Sequence, residues 1–202
     1  MFRNYLTIAL RTIARNRVFS LINIVGLSIG LACCLLIFLY AKDELTFDRF
    51  HRNVDRLYCI TRHDIDKKHD RDQTVGLAGM VQGPAFKQAI PGIKDFVRVR
   101  RDQLILRKGK EVFQQWGSWV DQDFLTVFSF PLLSGNAATA LSDPYSVVLT
   151  DETAKKYFGN ANAVGKTLEL QVKSDSFQSF TVTGIAKRSP ANSSIQFDML
   201  LP

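Results

Sequence analysis

"SVVLTDETAKKYFGNANAVGKTLEL", residues 146–170, closes its central turn with Gly165-Lys166-Thr167, the three residues that end a phosphate-binding P-loop. A true P-loop would make the chain a nucleotide-binding α/β domain, so this stretch decides the fold. Its spacing argues against that reading. A P-loop places four residues between its first Gly and the Gly-Lys-Ser/Thr, whereas five, Asn160 to Val164, separate Gly159 from Gly165. The flanks are also in the wrong order, because a P-loop leaves a strand and enters a helix whose N-terminus holds the phosphates. Here "LTDETAKKYFG" (149–159) comes first and predicts a helix. Thr150 is its N-cap, Asp151 and Glu152 fill the first turn, Lys155 and Lys156 the last, and Gly159 lies just past the end. "LELQV" (168–172) then alternates like a strand. The order helix, turn, strand makes the glycines bends, and no nucleotide or other cofactor is expected.

Outward from this unit the pattern is mixed and of short period. Strands are expected at "VDRLYCIT" (54–61), "YSVVLT" (145–150), "TLELQV" (167–172) and "FTVTGIA" (180–186), and a hairpin turning at Gly109 within 103–113. "GPAFKQAI" (83–90) predicts a short helix with Pro84 in its first turn and Pro91-Gly92 as its stop. Asp121 is expected to cap another short helix through Phe128, ended before Pro131. "HDIDKKHD" (63–70) offers two histidines and three aspartates. Lys67 and Lys68 would repel a cation, so a solvated loop is expected there and no metal site. Trp116 and Trp119, three apart in a strand, should face opposite sides, with at least one in the core. No GxSxG, HExxH or local Cys–His signature occurs, so no catalytic residue is assigned and the chain is not expected to be an enzyme. Strands and short helices alternate without a βαβ rhythm, which points to an α+β domain.

The N-terminal quarter is different. "VFSLINIVGLSIGLACCLLIFLYA" (18–41) is 24 residues without a charge, roughly 36 Å of helix against a hydrocarbon core of about 30 Å. A cleaved signal peptide would have a shorter apolar run and small residues at its exit, which Leu39-Tyr40-Ala41 does not supply. A retained transmembrane helix is expected. Gly26 and Gly30 form a GxxxG pair that would let a second membrane helix approach closely. Ahead of the span, Phe2, Tyr5, Leu6, Ala9, Leu10 and Ile13 fall at helical spacing, with Arg3, Thr7, Arg11 and Arg15 on the opposite stripe. That pattern suits an interfacial helix, with Arg3, Arg11 and Arg15 facing anionic lipid. The expected organisation is 1–17 interfacial helix, 18–41 transmembrane helix and 42–202 extracytoplasmic domain. Basic residues flank the span on both sides, but long segments cross largely regardless of charge, so the N-terminus is placed in the cytoplasm.

The net charge of +7 does not mark a nucleic-acid binder. Residues 1–17 hold Arg3, Arg11, Arg15 and Arg17 without an acid, and the rest is near balance with no basic run interleaved with aromatics. Cys33 and Cys34 lie within the apolar run, which leaves Cys59 without a pairing framework.

"FSLINIVGLSIGLACCLLIFLYAKDELTFDRFH" (19–51) resembles the first membrane helix of FtsX/MacB-type ABC transporter permeases. "DRLYCITR", "VDQDFLTVFSFPLLSGNAATAL", "SVVLTDETAKKYFGNANAVGKTLEL" and "FTVTGIAKRSPANSSIQFDMLL" are similar to successive blocks of the MacB-like periplasmic core domain. The resemblance implies the non-catalytic membrane subunit of an ABC transporter in the bacterial inner membrane, working as a homodimer or heterodimer of permeases. Its implied partners are a separate ATPase subunit and an extracytoplasmic adaptor. It also implies further membrane helices after the outer domain, so the chain is expected to be the N-terminal part of a longer permease. The alternative is a single-span, membrane-anchored sensor or ligand-binding domain, which would need a cytoplasmic output module.

Overall fold

The computed structural model describes residues 2–66, 71–109, 111–160, 162–173 and 176–202. It separates into two units, Met1–Phe47 and Asp48–Pro202. The first is helical. Helix α1 spans Phe2–Arg15 and helix α2 spans Arg17–Leu45, with Asn16 at φ −107° and ψ 59° interrupting them. The uncharged run lies wholly inside α2, which continues through Lys42, Asp43 and Glu44. At 29 residues, α2 is about 43 Å long. No residue of α2 is buried, so its Leu, Ile and Phe side chains are offered whole to the surroundings. By length and composition it is able to cross a membrane.

The second unit is the mixed α/β domain expected. Strands β1 (Arg62–Asp66) and β2 (Arg71–Val75) pair antiparallel, His63 opposite Thr74. Helix α3 is Gln82–Ala89. Strands β3 (Val99–Lys108) and β4 (Glu111–Val120) form the expected hairpin around Gly109; Lys110 lies outside the described residues. Then come α4 (Phe124–Val127), β5 (Leu132–Ser134), β6 (Ser146–Thr150), α5 (Asp151–Phe158), β7 (Thr167–Lys173), β8 (Ser176–Ala186) and β9 (Met199–Leu201). The seven-stranded sheet runs β5-β8-β6-β9-β4-β3-β7, and β7 also pairs with β8. The ladder therefore closes on itself, and β8 serves as both ends of the ring.

Side-chain alternation divides the core in two. Val147 and Leu149 of β6 and Met199 and Leu201 of β9 point to one side, with Leu104, Leu106, Leu168, Leu170, Phe180 and Val182. Ala154 and Tyr157 of α5 pack onto that cluster. Val148 and Leu200 point to the other side, against Phe124, Leu125, Phe130, Leu141 and Phe197. All five residues of β6 are buried, which is why it reads as a continuous apolar run.

Several expectations need correction. Residues 54–61 are not a strand. Val54–Arg56 make one 3-10 turn, Leu57 is extended, and 57–61 join no ladder among the described residues, Tyr58 being 87% exposed. Alternation there meets no pairing strand among the described residues. The stretch read as a loop at 63–70 holds β1 up to Asp66, while residues 67–70 lie outside the described ones. Asp121 caps nothing: α4 begins at Phe124 behind Asp123, with no side-chain cap bond. The Asp121 carboxylate instead takes the Arg98 backbone N–H at 2.7 Å and its guanidinium at 2.5–3.1 Å. Burial opposes ionisation of Asp121, but the Arg98 hydrogen bonds and charge outweigh it and hold the carboxyl below the usual range.

Gly117 shows how tightly the first cluster is packed. A Cβ built there would collide with Leu104 Cδ1 and lie 2.9 Å from Met199 Cγ. Gly117→Val is therefore expected to destabilise the second unit by about 2–3 kcal/mol, read as a lowered urea midpoint of tryptophan fluorescence in the detergent-solubilised chain.

Candidate functional site

The Gly-Lys-Thr turn is now explicit. Thr150 caps α5 as expected, its side chain accepting from the Thr153 N–H at 3.3 Å, and Gly159 closes the helix at φ 66°. The Gly165 N–H donates to Val182 O at 2.8 Å and the Lys166 N–H to Ala163 O at 3.1 Å, while Lys166 O accepts from the Val182 N–H at 2.8 Å. Asn162 Oδ1 takes the Val164 N–H at 3.1 Å. Amides that a P-loop would aim at phosphates are spent on tying the turn to β8. Lys166 Nζ lies 5.3 Å from the Phe158 ring centroid. The turn is a corner of the sheet. Ala161 falls outside the described residues.

In the helical unit, Gly26 and Gly30 sit one turn apart on one face of α2, and a Cβ built at either meets nothing within 4 Å. Arg11 and Arg15 are exposed on α1 and line a groove with Ile8 and Thr12. Arg3 is on the same helix, its side chain outside the described ones. Tyr5, Ile8 and Ile13 on α1 are exposed apolar side chains.

In the second unit, among the described residues, no three His, Cys, Asp or Glu side chains gather as metal ligands. An open groove of about 390 Å³ runs along Gly79–Gln82, Ala85 and Phe86 and holds no titratable group. Trp116 is exposed with the Arg101 guanidinium 4.4 Å from its ring, whereas Trp119 packs on the first core cluster, so the two face opposite sides.

Sequence reading missed one concentrated polar site, at the first residues of the second unit. The Asp48 N–H donates to Asn192 O at 2.9 Å, and Asp48 Oδ1 accepts from the Ser194 N–H at 2.8 Å. The Arg52 N–H donates to Ser129 Oγ at 3.0 Å, and the Ser129 N–H donates to His51 Nδ1 at 3.2 Å. Asp48 has φ 56°, a left-handed conformation rare outside glycine. His51 is 4% exposed among the rings of Phe50, Phe128 and Phe130, at centroid distances of 4.0, 5.4 and 5.1 Å. Burial pushes its imidazole below the usual range, and Asp48 pulls the other way. The signal available beforehand was the aromatic pair around polar residues in "FDRFH", but its partners lie about 80 and 140 positions away, beyond any local pattern.

The sequence model of the MacB-like periplasmic core domain matches residues 20–202. Among solved structures, a domain of a putative permease protein from Porphyromonas gingivalis is similar at a TM-score of 0.54 and 25% identity, over 69% of this chain and 60% of that one. The chain thus spans 60% of the length of that relative. The periplasmic region of MacB from Actinobacillus actinomycetemcomitans gives a TM-score of 0.46 at 18% identity, over 60% of this chain and 54% of that one. The extracellular domain of the noncanonic ABC-type transporter YknZ from Gram-positive bacteria gives 0.44 at 18%, over 57% of each. No curated protein matches.

The corner reading of the Gly-Lys-Thr turn separates its residues. Gly165 has φ 84° with open space around a Cβ, so Gly165→Ala should cost about 1 kcal/mol from backbone strain alone. Lys166→Ala should shift stability by less than about 0.5 kcal/mol and leave ATP binding, measured by equilibrium dialysis, absent before and after. ATP binding that Lys166→Ala abolishes would contradict this assignment.

Proposed function

Because this chain belongs to the MacB-like periplasmic core domain family, we propose that it is the N-terminal part of the membrane subunit of an ABC transporter. It couples ATP hydrolysis by a separate cytoplasmic subunit to substrate export, or to activation of a partner, outside the inner membrane. One observation carries the reading: the family match begins inside α2 and continues to Pro202, so membrane helix and outer domain belong to one unit of design. In this reading α2 crosses the inner membrane and α1 lies on its cytoplasmic face. Residues 42–202 stand outside, and a second permease and an extracytoplasmic adaptor complete the assembly. The chain performs no chemistry of its own. A filled core, a groove without titratable groups and a polar cluster spent on internal bonds support that part.

Mechanotransmission requires α2 to move against a neighbour, and Gly26 and Gly30 give the face where a neighbour can come close. Both glycines are exposed and a Cβ built at either meets nothing within 4 Å, so the described part of this chain offers no obstacle to the first atom of a larger side chain. Any loss on substitution therefore reports a helix beyond this chain. Gly26→Leu and Gly30→Leu in the complete transporter are expected to lower export by about tenfold, the scale of ~1.4 kcal/mol of helix packing. ATP hydrolysis should persist at normal subunit levels. Export and hydrolysis both at wild-type rates would show that this face meets lipid.

Arg3, Arg11 and Arg15 are assigned to the anionic surface of the cytoplasmic leaflet. Each cation near such a surface is worth about 1 kcal/mol. Replacing all three by Glu should weaken binding of a residue 1–17 peptide to anionic vesicles by at least about a hundredfold, and unchanged binding would exclude an electrostatic role.

A further inference from the structure

We propose that the Asp48–His51 turn is a pH-operated clasp: neutral His51 locks the start of the second unit onto the Phe128–Phe130 and Pro190–Ser194 segments, and protonated His51 releases it. The chemistry is in the direction of one hydrogen bond. The Ser129 N–H donates to His51 Nδ1 at 3.2 Å, which only an imidazole with its proton on Nε2 can accept. An imidazolium carries a proton on both nitrogens. Protonation would therefore set two donors against each other at this contact.

The surroundings do not rescue the charge. The ring is 4% exposed, and the side chains seen packed on it or bonded beside it, Phe50, Phe128, Phe130 and Ser129, are all neutral. A cation gains a little over an aromatic face, but less than it loses in hydration on burial. Burial lowers the proton affinity of the ring, and it outweighs the attraction of Asp48, the one acid acting on the ring among the described residues. An Asp48 carboxylate oxygen is already committed to the Ser194 N–H at 2.8 Å. The same turn holds Asp48 at φ 56°, a conformation that its bonds to Asn192 and Ser194 retain.

The sign follows from linkage. In the closed clasp His51 binds a proton less readily than when open, where its affinity is that of an ordinary histidine, near pH 6.5. The clasp is thus fully held above about pH 6.5 and weakens as the pH falls below it, by up to tenfold per pH unit until the closed form itself titrates. Asp48 follows Phe47, the second residue after α2, so tension carried along the chain from the helix arrives first at the clasp. Its bearing on transport rests on the function proposed above; the clasp and its titration do not.

The test is hydrogen exchange of the full chain in nanodiscs at pH 7.5 and 5.5, corrected for the intrinsic pH dependence of exchange. Protection of peptides covering 48–54 and 127–131 is expected to fall by up to about tenfold at pH 5.5, with 146–150 in β6 unchanged. In His51→Asn the carboxamide oxygen can accept from the Ser129 N–H but cannot titrate, so its protection should be the same at both pH values. Equal protection of the wild-type chain at the two pH values overturns the proposal, as does the same fall in His51→Asn. Should that variant fail to fold, the ring titration of His51 followed by NMR in the wild-type chain decides: a midpoint below 6.5 supports the clasp, and one at or above 6.5 overturns it. None of these outcomes depends on an ATPase or a transported substrate, so the clasp can fail while the transporter reading stands, and the reverse.

Discussion

Strand β8 has hydrogen-bond partners along both edges. The Thr181 N–H donates to Tyr145 O at 2.8 Å, and the next residue, Val182, donates at 2.8 Å to Lys166 O on the opposite side. Parallel pairing with β6 and antiparallel pairing with β7 follow from that alternation, and with it the closure of the ladder through β9, β4 and β3. Closure removes most of the free edge along which sheets aggregate. It also fixes two faces that must both be covered, by α5 on one side and by α4 with residues 137–141 on the other. The interior is consequently filled with side chains. Pairings such as β4 with β9 join residues about 80 apart, so contacts that close this unit form late and folding is expected to be slow.

Local chemistry made the elements around residue 150 readable. Thr150, the acid and base order within α5, and Gly159 each act within one or two turns, and the sequence carries that information in place. The uncharged run of α2 was equally plain, because a bilayer selects on length and polarity alone. The β3–β4 hairpin was legible from Gly109, though its strands extend further than the pattern suggested. Strands β5 and β9 are three residues each, too short for period-2 alternation to register. Residues 54–61 alternate as a strand would, but only a partner makes a ladder, and among the described residues none pairs with them. Asp121 was misassigned for a related reason. A carboxylate at a helix start resembles a cap, and the competing Arg98 stands 23 positions away.

The site-bearing residues follow the same division. Gly26, Gly30, Arg11 and Arg15 could be proposed from the sequence because helical spacing is local, and they lie exposed where another molecule must define their role. His51 was invisible because its meaning depends on Ser129 and three phenylalanines brought together by the fold. Together these residues fit the coupling role proposed above. An apolar helix offers a smooth face, a basic helix precedes it, and the chain beyond it is fastened at its first turn to a closed, filled sheet domain. A closed, filled sheet domain of this kind suits the proposed role of passing force outward from ATP hydrolysis elsewhere.

The central claim is that α2 crosses the membrane and leaves the second unit outside. The native cysteines allow it to be tested without substitution. Cys59 is exposed in the second unit, while Cys33 and Cys34 lie within α2, where hydrocarbon would exclude a charged reagent. Spheroplasts treated with a membrane-impermeant maleimide, followed by peptide mapping, give the answer directly. The account predicts labelling at Cys59 before lysis and none at Cys33 or Cys34. Labelling of Cys59 that appears only after the membrane is opened would place the second unit on the cytoplasmic side and contradict it.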